Sequence, residues 1–347
     1  MRDEKAHGVR GMVGCGSAGG KPTRDGRSEM ARYLTEADVD RLADMDLALD
    51  VIEASFERQG RWTSANVGRR RARTAQGALQ LMGAADPELG ALGAKLYPTV
   101  PGGRISFVVV LFDAASGALS AVIEAGRLSG LRTGAASGVS VKYLAPPEVQ
   151  AIGIIGSGRQ ARTQIEAVCA VRPSARVRVY SRNSANVERL IAEVSPTLDV
   201  DLEPAATAEA AVRGAQVVIT ATNAANPVIE ADWIEPGAHV IAMGTNHPQH
   251  RELDSAAIAR ADRVFVDDLE GAKIECGDLI CAVEDGAFQW GEAVEFGQVV
   301  AGRAPGRTSP DEITLFESQG IALWDIALGQ VVLERALAAD VGTPIGE

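Results

Sequence analysis

The stretch AIGIIGSGRQA, residues 151–161, decides the fold of this chain. An apolar strand is predicted to enter a glycine-rich turn, and a helix is predicted to follow the turn. The spacing is G-x-G-x-x-A: Gly156 permits a tight turn, Gly158 lets a pyrophosphate approach the backbone, and Ala161 lets the helix pack closely on the strand. This strand, turn and helix predict a dinucleotide-binding site.

The start of the predicted helix supports the same interpretation. Its first backbone N–H groups have no partner within the helix, and together with the helix dipole they attract phosphate groups. The residues predicted to surround the pyrophosphate are Gly156, Ser157, Gly158, Arg159 and Gln160.

The end of the next predicted strand bears on which dinucleotide is bound. RVRVY, residues 176–180, is followed by Ser181, Arg182 and Asn183. A NAD site usually carries an acidic residue here, which binds the ribose 2′-hydroxyl and would repel a 2′-phosphate. Serine, arginine and asparagine would instead bind that phosphate. The sequence favours NADP(H), and NAD(H) stays open because Arg182 could equally stack on adenine.

Strand-like and helix-like segments alternate from Gln150 to about residue 268, which is typical of βαβ units around a parallel sheet. The predicted fold class is therefore α/β, with a doubly wound Rossmann-type parallel sheet. Residues 311–338, DEITLFESQGIALWDIALGQVVLERALA, are predicted to form one long amphipathic helix that packs back on the N-terminal part of the chain.

The N-terminal part has a different pattern. Residues 1–30 are polar and glycine-rich, and we predict a disordered extension. Thr35 and Asp38 have the spacing of a helix cap, and a second helix is predicted over 44–59. Strand-like runs follow, with a predicted hairpin at 105–125. A helix of small residues is predicted over 126–144, and its small side chains would let another backbone approach closely.

Composition excludes several classes of function. The formal net charge of −12 disfavours binding to nucleic acid or to an anionic membrane. No apolar run reaches the roughly 18 residues of a membrane span, and no signal peptide is recognisable. The four cysteines, Cys15, Cys169, Cys276 and Cys281, form no CxxC motif. We therefore expect free thiols in a reducing cytoplasm and no metal site.

Five segments in order carry a family resemblance. They are LRTGAASGVSVKYLA, AIGIIGSGRQARTQIEAV, VVITATN, GTNHPQHRELD and GRTSPDEITLFESQGIALWDIALG. Together they resemble the ornithine cyclodeaminase/mu-crystallin family over almost everything after Met30. The resemblance implies a nucleotide-binding domain, residues 136–319, inserted into a substrate-binding and dimerisation domain of residues 31–135 and 320–347. It also implies a homodimer, a nicotinamide cofactor, and a small amino-acid or imino-acid substrate.

The resemblance also implies site residues. Arg69 or Arg71 matches a substrate-carboxylate arginine, Lys95 an active-site lysine, and Arg132 another substrate-binding arginine. Without the resemblance, the cluster GRRRAR would be more typical of a solvated surface. Lys95 would be typical of either a strand edge or a buried functional site, and Arg132 would be typical of a structural cap. Thr133 is expected near the cofactor phosphates. The strand ends Ala221–Thr222 and Met243–Gly244 are expected near the nicotinamide, because ligands bind at the carboxyl edge of such sheets.

Asn246 separates the candidate activities. The resemblance implies that this position matches an aspartate that serves as acid and base in cyclising members of the family, and an asparagine cannot accept a proton at neutral pH. We expect Asn246 to touch cofactor or substrate and the residues after it, including His247 and His250, to form a surface turn. The primary hypothesis is an NAD(P)H-dependent oxidoreductase on C–N bonds, a ketimine or imine reductase or an amino-acid dehydrogenase. The alternatives are ornithine cyclodeaminase, and a mu-crystallin-like protein that binds nucleotide and a small ligand without catalysis.

Overall fold

The computed structural model describes residues 30–173, 175–198 and 200–346. The predicted N-terminal extension and Cys15 lie outside the described residues, except for Met30. Two sheets organise the described part of the chain, one of seven strands and one of eight.

The seven-stranded sheet is built mainly from the N-terminal part. Its strands are β1 (Ala31–Leu34), β2 (Ala65–Arg73), β3 (Ala78–Asp86), β4 (Ala91–Thr99), β5 (Val108–Asp113), β6 (Leu119–Glu124) and β15 (Thr343–Ile345), in the order β15-β1-β6-β5-β4-β3-β2. Strands β2 to β6 pair in sequence and antiparallel, which includes the predicted hairpin. The far end of the chain thus completes a sheet that begins at residue 31.

Three helices accompany these strands: α1 (Glu36–Leu42), α2 (Met45–Gly60) and α3 (Gly126–Leu144). The predicted capping box is present, since Thr35 and Asp38 exchange side-chain and backbone hydrogen bonds. The predicted boundaries of α2 and α3 agree with the structure to within one residue.

The eight-stranded sheet is parallel throughout. Its strands are β7 (Ala151–Ile155), β8 (Arg176–Tyr180), β9 (Leu202–Pro204), β10 (Val217–Thr220), β11 (His239–Ala242), β12 (Arg263–Val266), β13 (Ala293–Glu295) and β14 (Thr314–Glu317), in the order β13-β12-β14-β11-β10-β7-β8-β9. This arrangement confirms the predicted α/β class with a doubly wound parallel sheet. The carboxyl ends of the strands all meet at one edge.

The helices of this half connect its strands. They are α4 (Arg159–Val171), α5 (Ser184–Val194), α6 (Ala208–Val212), α7 (Ser255–Arg260), α8 (Leu269–Glu275), α9 (Gly277–Glu284) and α10 (Phe296–Val300). Helix α3 packs against α4, and the small residues of α3 permit the close contact. A Cβ atom on Gly134 would lie 2.3 Å from the carbonyl oxygen of Thr163. The prediction that small residues bring α3 close to another backbone is correct.

One predicted element was wrong. Residues 311–338 do not form a single helix, because Thr314–Glu317 form β14, which inserts between β11 and β12. The helix of this segment is α11 (Ala322–Ala338). It is not amphipathic either, since it is buried on most sides between α2 and strands β3, β4 and β5. It does pack on the N-terminal part, as predicted.

The chain crosses between the sheets twice, after α3 and between β14 and α11. The segment 318–321 therefore lies where the carboxyl edge of the eight-stranded sheet meets the N-terminal half. Among the described residues, none of the helices has the length and apolar content that crossing a bilayer requires.

Candidate active site

The glycine turn between β7 and α4 is shaped for an anion. Gly156 has a φ of +127°, and a Cβ atom there would lie 2.4 Å from the carbonyl oxygen of Ala221, so only glycine fits. A Cβ on Gly158 would meet no atom within 4 Å, so this glycine faces open space. No side chain caps the start of α4. The turn therefore offers backbone donors to a phosphate, which fits the predicted dinucleotide.

Other predicted cofactor residues have partners within the chain. Thr133 donates its hydroxyl to the carbonyl oxygen of Ser129 at 2.7 Å, inside α3. The guanidinium of Arg159 lies 4.9 Å from the ring centre of Phe107, across from the N-terminal half. The side-chain oxygen of Gln160 is buried and finds no hydrogen-bond partner among the described residues, whereas Ser157 is partly exposed. Gln160 is thus the member of this group with a buried polar atom that lacks a partner in the described part of the chain.

The three residues after β8 differ in role. Asn183 caps α5, because its side chain accepts a hydrogen bond from the backbone N–H of Asn186 at 3.3 Å. Ser181 is partly exposed and Arg182 is exposed. Asn183 is therefore committed to structure in this chain, and Arg182 is the residue of the three with a free charged end pointing to solvent.

The turns after β10 and β11 are joined by Glu252, which the sequence analysis did not single out. Glu252 is fully buried, and its carboxylate accepts hydrogen bonds from the backbone N–H of Thr222 at 2.7 Å and of Gly244 at 2.6 Å. His247 and His250, in the predicted surface turn, are partly exposed, and the chain becomes buried at Glu252 and Leu253. Ala221 and Met243, predicted beside the nicotinamide, are buried at these strand ends.

Lys95 is a buried cation at the meeting of the two halves. It is 1% exposed, and its Nζ donates to Ser129 Oγ at 2.6 Å and to Asp325 Oδ1 at 2.7 Å. Burial, followed by repulsion from Arg132, lowers the pKa of Lys95 to about 7, although Asp325 opposes the shift. The ring of Phe107 lies 4.9 Å from Nζ. Lys95 is thus a group that can exchange a proton near neutral pH.

Arg132 faces the same carboxylate. Its Nε lies 3.3 Å from Asp325 Oδ2, and its guanidinium lies 5.7 Å from the ring centre of Trp324. Arg132 Nη1 is buried and has no hydrogen-bond partner within the described part of the chain. A Cβ on Gly320 would lie 2.7 Å from that nitrogen, so the glycine leaves room for it. A buried guanidinium N–H without a partner is a free donor for a ligand carboxylate.

Arg69 and Arg71 both lie on β2 and share one acid. Arg69 is buried and donates to Glu275 and to the carbonyl oxygen of Gln319. Arg71 lies 2.5 Å from the other oxygen of Glu275 and donates to the backbone oxygen of Asn246 at 3.1 Å. Arg69 is therefore not part of a solvated surface, which is what such a cluster of arginines typically indicates. The structure thereby brings Asn246 beside this group, through its backbone.

The histidines of the same turn lie next to each other. The rings of His247 and His250 have centres 4.5 Å apart. Burial and the neighbouring positive charges, those of His250, Arg71 and Arg73, lower the pKa of His247. The lowered pKa favours the neutral form of the His247 imidazole.

A second group of buried acids lies behind this edge of the sheet. Cys276, Asp278 and Glu317 have their donor atoms within 4.8 Å of one another, and the Cys276 thiol donates to Glu317 at 3.4 Å. Burial, then repulsion from Asp278, raises the pKa of Glu317 well above its usual range. Asp267 accepts from Ser318 Oγ and from Gly320 N. These acids hold the backbone of the segments that line the site.

Sequence reasoning named the cations of this candidate site and none of the acids that pair with them. Asp325, Glu275 and Glu252 all contact predicted site residues, and Asp325 and Glu275 pair with cations more than 200 positions away. The available signal was the excess of predicted buried cations, since a buried charge requires a partner of opposite sign. The apolar surroundings of Asp325, IALWDIAL, were a further signal.

Comparison with known proteins adds to this geometry. The chain matches the model of the ornithine cyclodeaminase/mu-crystallin family over residues 30–340. It is 36% identical over 264 residues to a Δ1-pyrroline-2-carboxylate reductase of Bacillus cereus, an alignment that covers 74% of this chain and 81% of the relative.

Two solved structures are similar over nearly the whole chain. The first is the Thermococcus litoralis Δ1-pyrroline-2-carboxylate reductase in complex with NADH and L-proline, with a TM-score of 0.86, 32% identity, and coverage of 90% of this chain and 100% of that one. The second is an archaeal alanine dehydrogenase dimer with bound NAD, with a TM-score of 0.85, 31% identity, and coverage of 91% and 99%.

Proposed function

The chain belongs to the ornithine cyclodeaminase/mu-crystallin family, and on that premise we propose that it is a nicotinamide-dependent oxidoreductase acting on the C–N bond of small amino-acid or imino-acid substrates. Ketimine or imine reduction, with amino-acid dehydrogenation as its reverse, is the proposed reaction. One observation carries the proposal: Lys95 and Arg132 share the buried carboxylate of Asp325, and Arg132 lies against Gly320 of segment 318–321. The similar reductase with NADH and L-proline supports it.

The roles of the cations follow from their free donors. Arg132 Nη1 has no partner within the described residues, so it is the proposed donor to the substrate carboxylate. Arg69 already donates hydrogen bonds to Glu275 and to the backbone oxygen of Gln319. Its proposed role, shared with Arg71, is therefore to contribute positive electrostatic potential rather than to bind the substrate carboxylate directly. Together these side chains would orient the α-carbon of a bound substrate.

The reaction balances with one proton from this chain. When bound, a reduced nicotinamide supplies the hydride, two electrons and one hydrogen, that the imine carbon receives. Protonated Lys95 is the proposed donor of the proton that the nitrogen receives, directly or through water, and this completes the amine. Ser129 and Asp325 hold the ammonium group in place during this step.

Cyclodeamination is the less favoured activity. Asn246 occupies the position where we expect cyclising relatives to carry an aspartate, and an amide cannot exchange the proton that ring closure needs. The buried carboxylates near the site, Asp325 and Glu275, each form ion pairs with two cations, so neither stands free to replace that aspartate.

NADP(H) is the proposed preferred cofactor, with NAD(H) as the alternative. The end of β8 carries no acid, and the exposed side chain of Arg182 is the proposed ligand of a 2′-phosphate. The two similar structures bind NADH and NAD, which favours the alternative. The affinities of both cofactors must therefore be compared directly.

A homodimer is the proposed assembly. The face of the seven-stranded sheet that points away from α11 carries exposed leucines and a valine, all on one side by strand register: Val67, Leu79, Leu81, Leu92 and Leu119. An apolar sheet face of this extent is typical of an interface. A second copy of the chain is the proposed partner, because the similar alanine dehydrogenase is a dimer.

The test of the activity is a direct assay. Purified protein is mixed with NADPH or NADH and with cyclic ketimine acids, or with 2-oxoacids plus an amine, and absorbance at 340 nm is recorded. Oxidation of the cofactor with formation of the matching amino acid is the expected result. Proline and ammonia from ornithine, without net cofactor change, would instead establish the cyclodeaminase. Binding of nucleotide without turnover of either kind would establish a non-catalytic protein.

A further inference from the structure

Glu252 is held rigidly behind two turns of the proposed cofactor site. It is fully buried. Its backbone N–H donates to Asp278 Oδ1 at 2.8 Å, and its carbonyl oxygen accepts from Val228 N at 2.8 Å. Its carboxylate then binds the N–H groups of Thr222 and Gly244, each the second residue after its strand. Glu252 therefore cannot move without moving both turns.

The backbone hydrogen bonds favour the ionised carboxylate. Each oxygen accepts one N–H, at 2.7 and 2.6 Å, which are the short distances of charge-assisted hydrogen bonds. Burial raises the pKa of Glu252, and the bonds from Thr222 and Gly244 oppose that rise.

The neighbouring acids do not share this arrangement equally. Asp278 accepts two backbone N–H groups on one oxygen, and burial raises its pKa to about 7. Glu317 accepts only the weak Cys276 thiol, and its pKa is raised well above its usual range. Glu252 differs from both of these acids in that each of its two oxygens accepts a separate backbone N–H, which favours a negative charge there.

This charge has no cationic partner. The hydroxyls of Thr222 and Thr220 and the peptide N–H groups of Thr222 and Gly244 act against the rise in the pKa of Glu252, and no lysine, arginine or histidine is among the main groups that act on it in the described structure. A carboxylate in a dry site, balanced by neutral dipoles, projects a stronger field than a surface acid does. The electric field of the Glu252 carboxylate acts at the carboxyl ends of β10 and β11, because the turns that bind it follow these strands directly.

From this geometry we propose that Glu252 is a positioning residue that also favours the oxidised, cationic form of the bound cofactor over its reduced form. This inference rests on the proposed function. The nicotinamide ring is neutral when reduced and positively charged when oxidised, so a fixed anion behind its site stabilises the oxidised form selectively. In the reductive direction, Glu252 therefore promotes departure of the hydride, since the ring gains its positive charge in that step.

The experiment measures dissociation constants rather than turnover. Oxidised and reduced cofactor are titrated separately into wild-type protein and Glu252→Gln by calorimetry or fluorescence. Because the amide leaves one turn without its acceptor, both forms should bind more weakly, but removing the charge should weaken binding of the oxidised form on the order of tenfold more than binding of the reduced form. Glu252→Asp keeps the charge but loses reach, so it should weaken both forms and leave their ratio unchanged.

A purely structural role gives a different result. If Glu252 only ties the turns together, Glu252→Gln weakens both forms by the same factor, and the proposal is overturned. If Glu252→Gln does not fold, Glu252→Ala is used instead, because it removes the charge and leaves space for a water to bind the two N–H groups. The ratio of the dissociation constants of oxidised and reduced cofactor is then judged in the same way. Wild-type protein that binds neither form would refute the proposed function instead.

Discussion

The ammonium group of Lys95 lies 2.7 Å from the carboxylate of Asp325, although 230 positions separate the two residues in the chain. Both side chains are buried, at 1% and 0% exposure. The pair joins β4 to α11, and the second oxygen of Asp325 reaches Arg132. The proton-exchanging group of the proposed reaction is therefore held by an element that follows the eight-stranded sheet in the chain.

The pH dependence of activity tests Lys95. Its pKa is lowered to about 7, so it carries the proton below that pH and loses it above. Imine reduction, which needs the protonated form, should fall about tenfold per pH unit above 7, and amine oxidation should fall below 7. Lys95→Met should lower kcat about 100-fold or more and abolish this limb. An unchanged pH profile in the variant would show that another group supplies the proton.

Gly320 tests the free nitrogen of Arg132. A Cβ at this position would lie 2.7 Å from Arg132 Nη1, so Gly320→Ala should displace the guanidinium and raise KM for the acid substrate about tenfold. Cofactor affinity should stay within twofold. Gly302→Ala is the matched control, because Gly302 also has a positive φ, +68°, but open space around it. If the two substitutions had equal effects, backbone strain would explain both, and the proposed role of Arg132 Nη1 would be contradicted.

Glu275 tests the ion-pair group on β2. Glu275→Gln leaves Arg69 and Arg71 without their shared charge, and breaking such a buried pair costs roughly 3–5 kcal/mol of unfolding free energy. Urea denaturation measures the loss. Glu270→Gln, on the same helix, removes only an exposed pair with Lys273 and should cost less than about 1 kcal/mol. If Glu275→Gln lowered the free energy of unfolding by as little as Glu270→Gln does, the assignment of a buried ion-pair group at Glu275 would be contradicted.

Arg182 tests the proposed cofactor preference. Arg182→Ala should weaken NADPH binding about tenfold and leave NADH binding unchanged, because only NADPH carries the 2′-phosphate. Arg189→Ala, on the neighbouring helix α5, is the control, since Arg189 pairs with Asn186. Equal weakening of both cofactors by Arg182→Ala would support stacking on adenine instead.

Leu81 tests the assembly. Leu81→Glu places a charge in the middle of the outward apolar sheet face, and the protein should become monomeric by light scattering. Ile274→Glu, on exposed α8, should leave the assembly unchanged. A wild-type protein that is monomeric at micromolar concentration would exclude the homodimer.

The nucleotide-binding half was predictable because its signals are local. The glycine turn at 156–158 and the strands from β7 to β12 each have a period that a short window reveals. Strand β14 was not, because its four residues, TLFE, are too few to show a period, and only Ser318, Gln319 and Gly320 separate them from the apolar segment that forms α11. The sheet position between β11 and β12, and not the local sequence, decides its conformation.

The site was predictable in its cations and not in its acids. Lys95 and Arg132 were identified through segments that resemble a family, whereas Asp325 lies in a run that indicates only a buried helix. Glu252 sits among polar neighbours that are typical of a surface turn, and only the fold shows that its carboxylate points inward to Thr222 and Gly244. Long-range pairing of charges is a property of the folded chain and leaves little trace in composition.

The late position of α11 and β15 has a consequence for biosynthesis. Strands β2 to β6 leave the ribosome long before residues 322–345, which cover one face of their sheet and pair with β1. The face of β3, β4 and β5 that α11 covers therefore remains exposed while the intervening nucleotide-binding half is synthesised and folds. Slow translation or a shortage of chaperones during that interval should lower the yield of native protein more than heating of the finished chain would suggest.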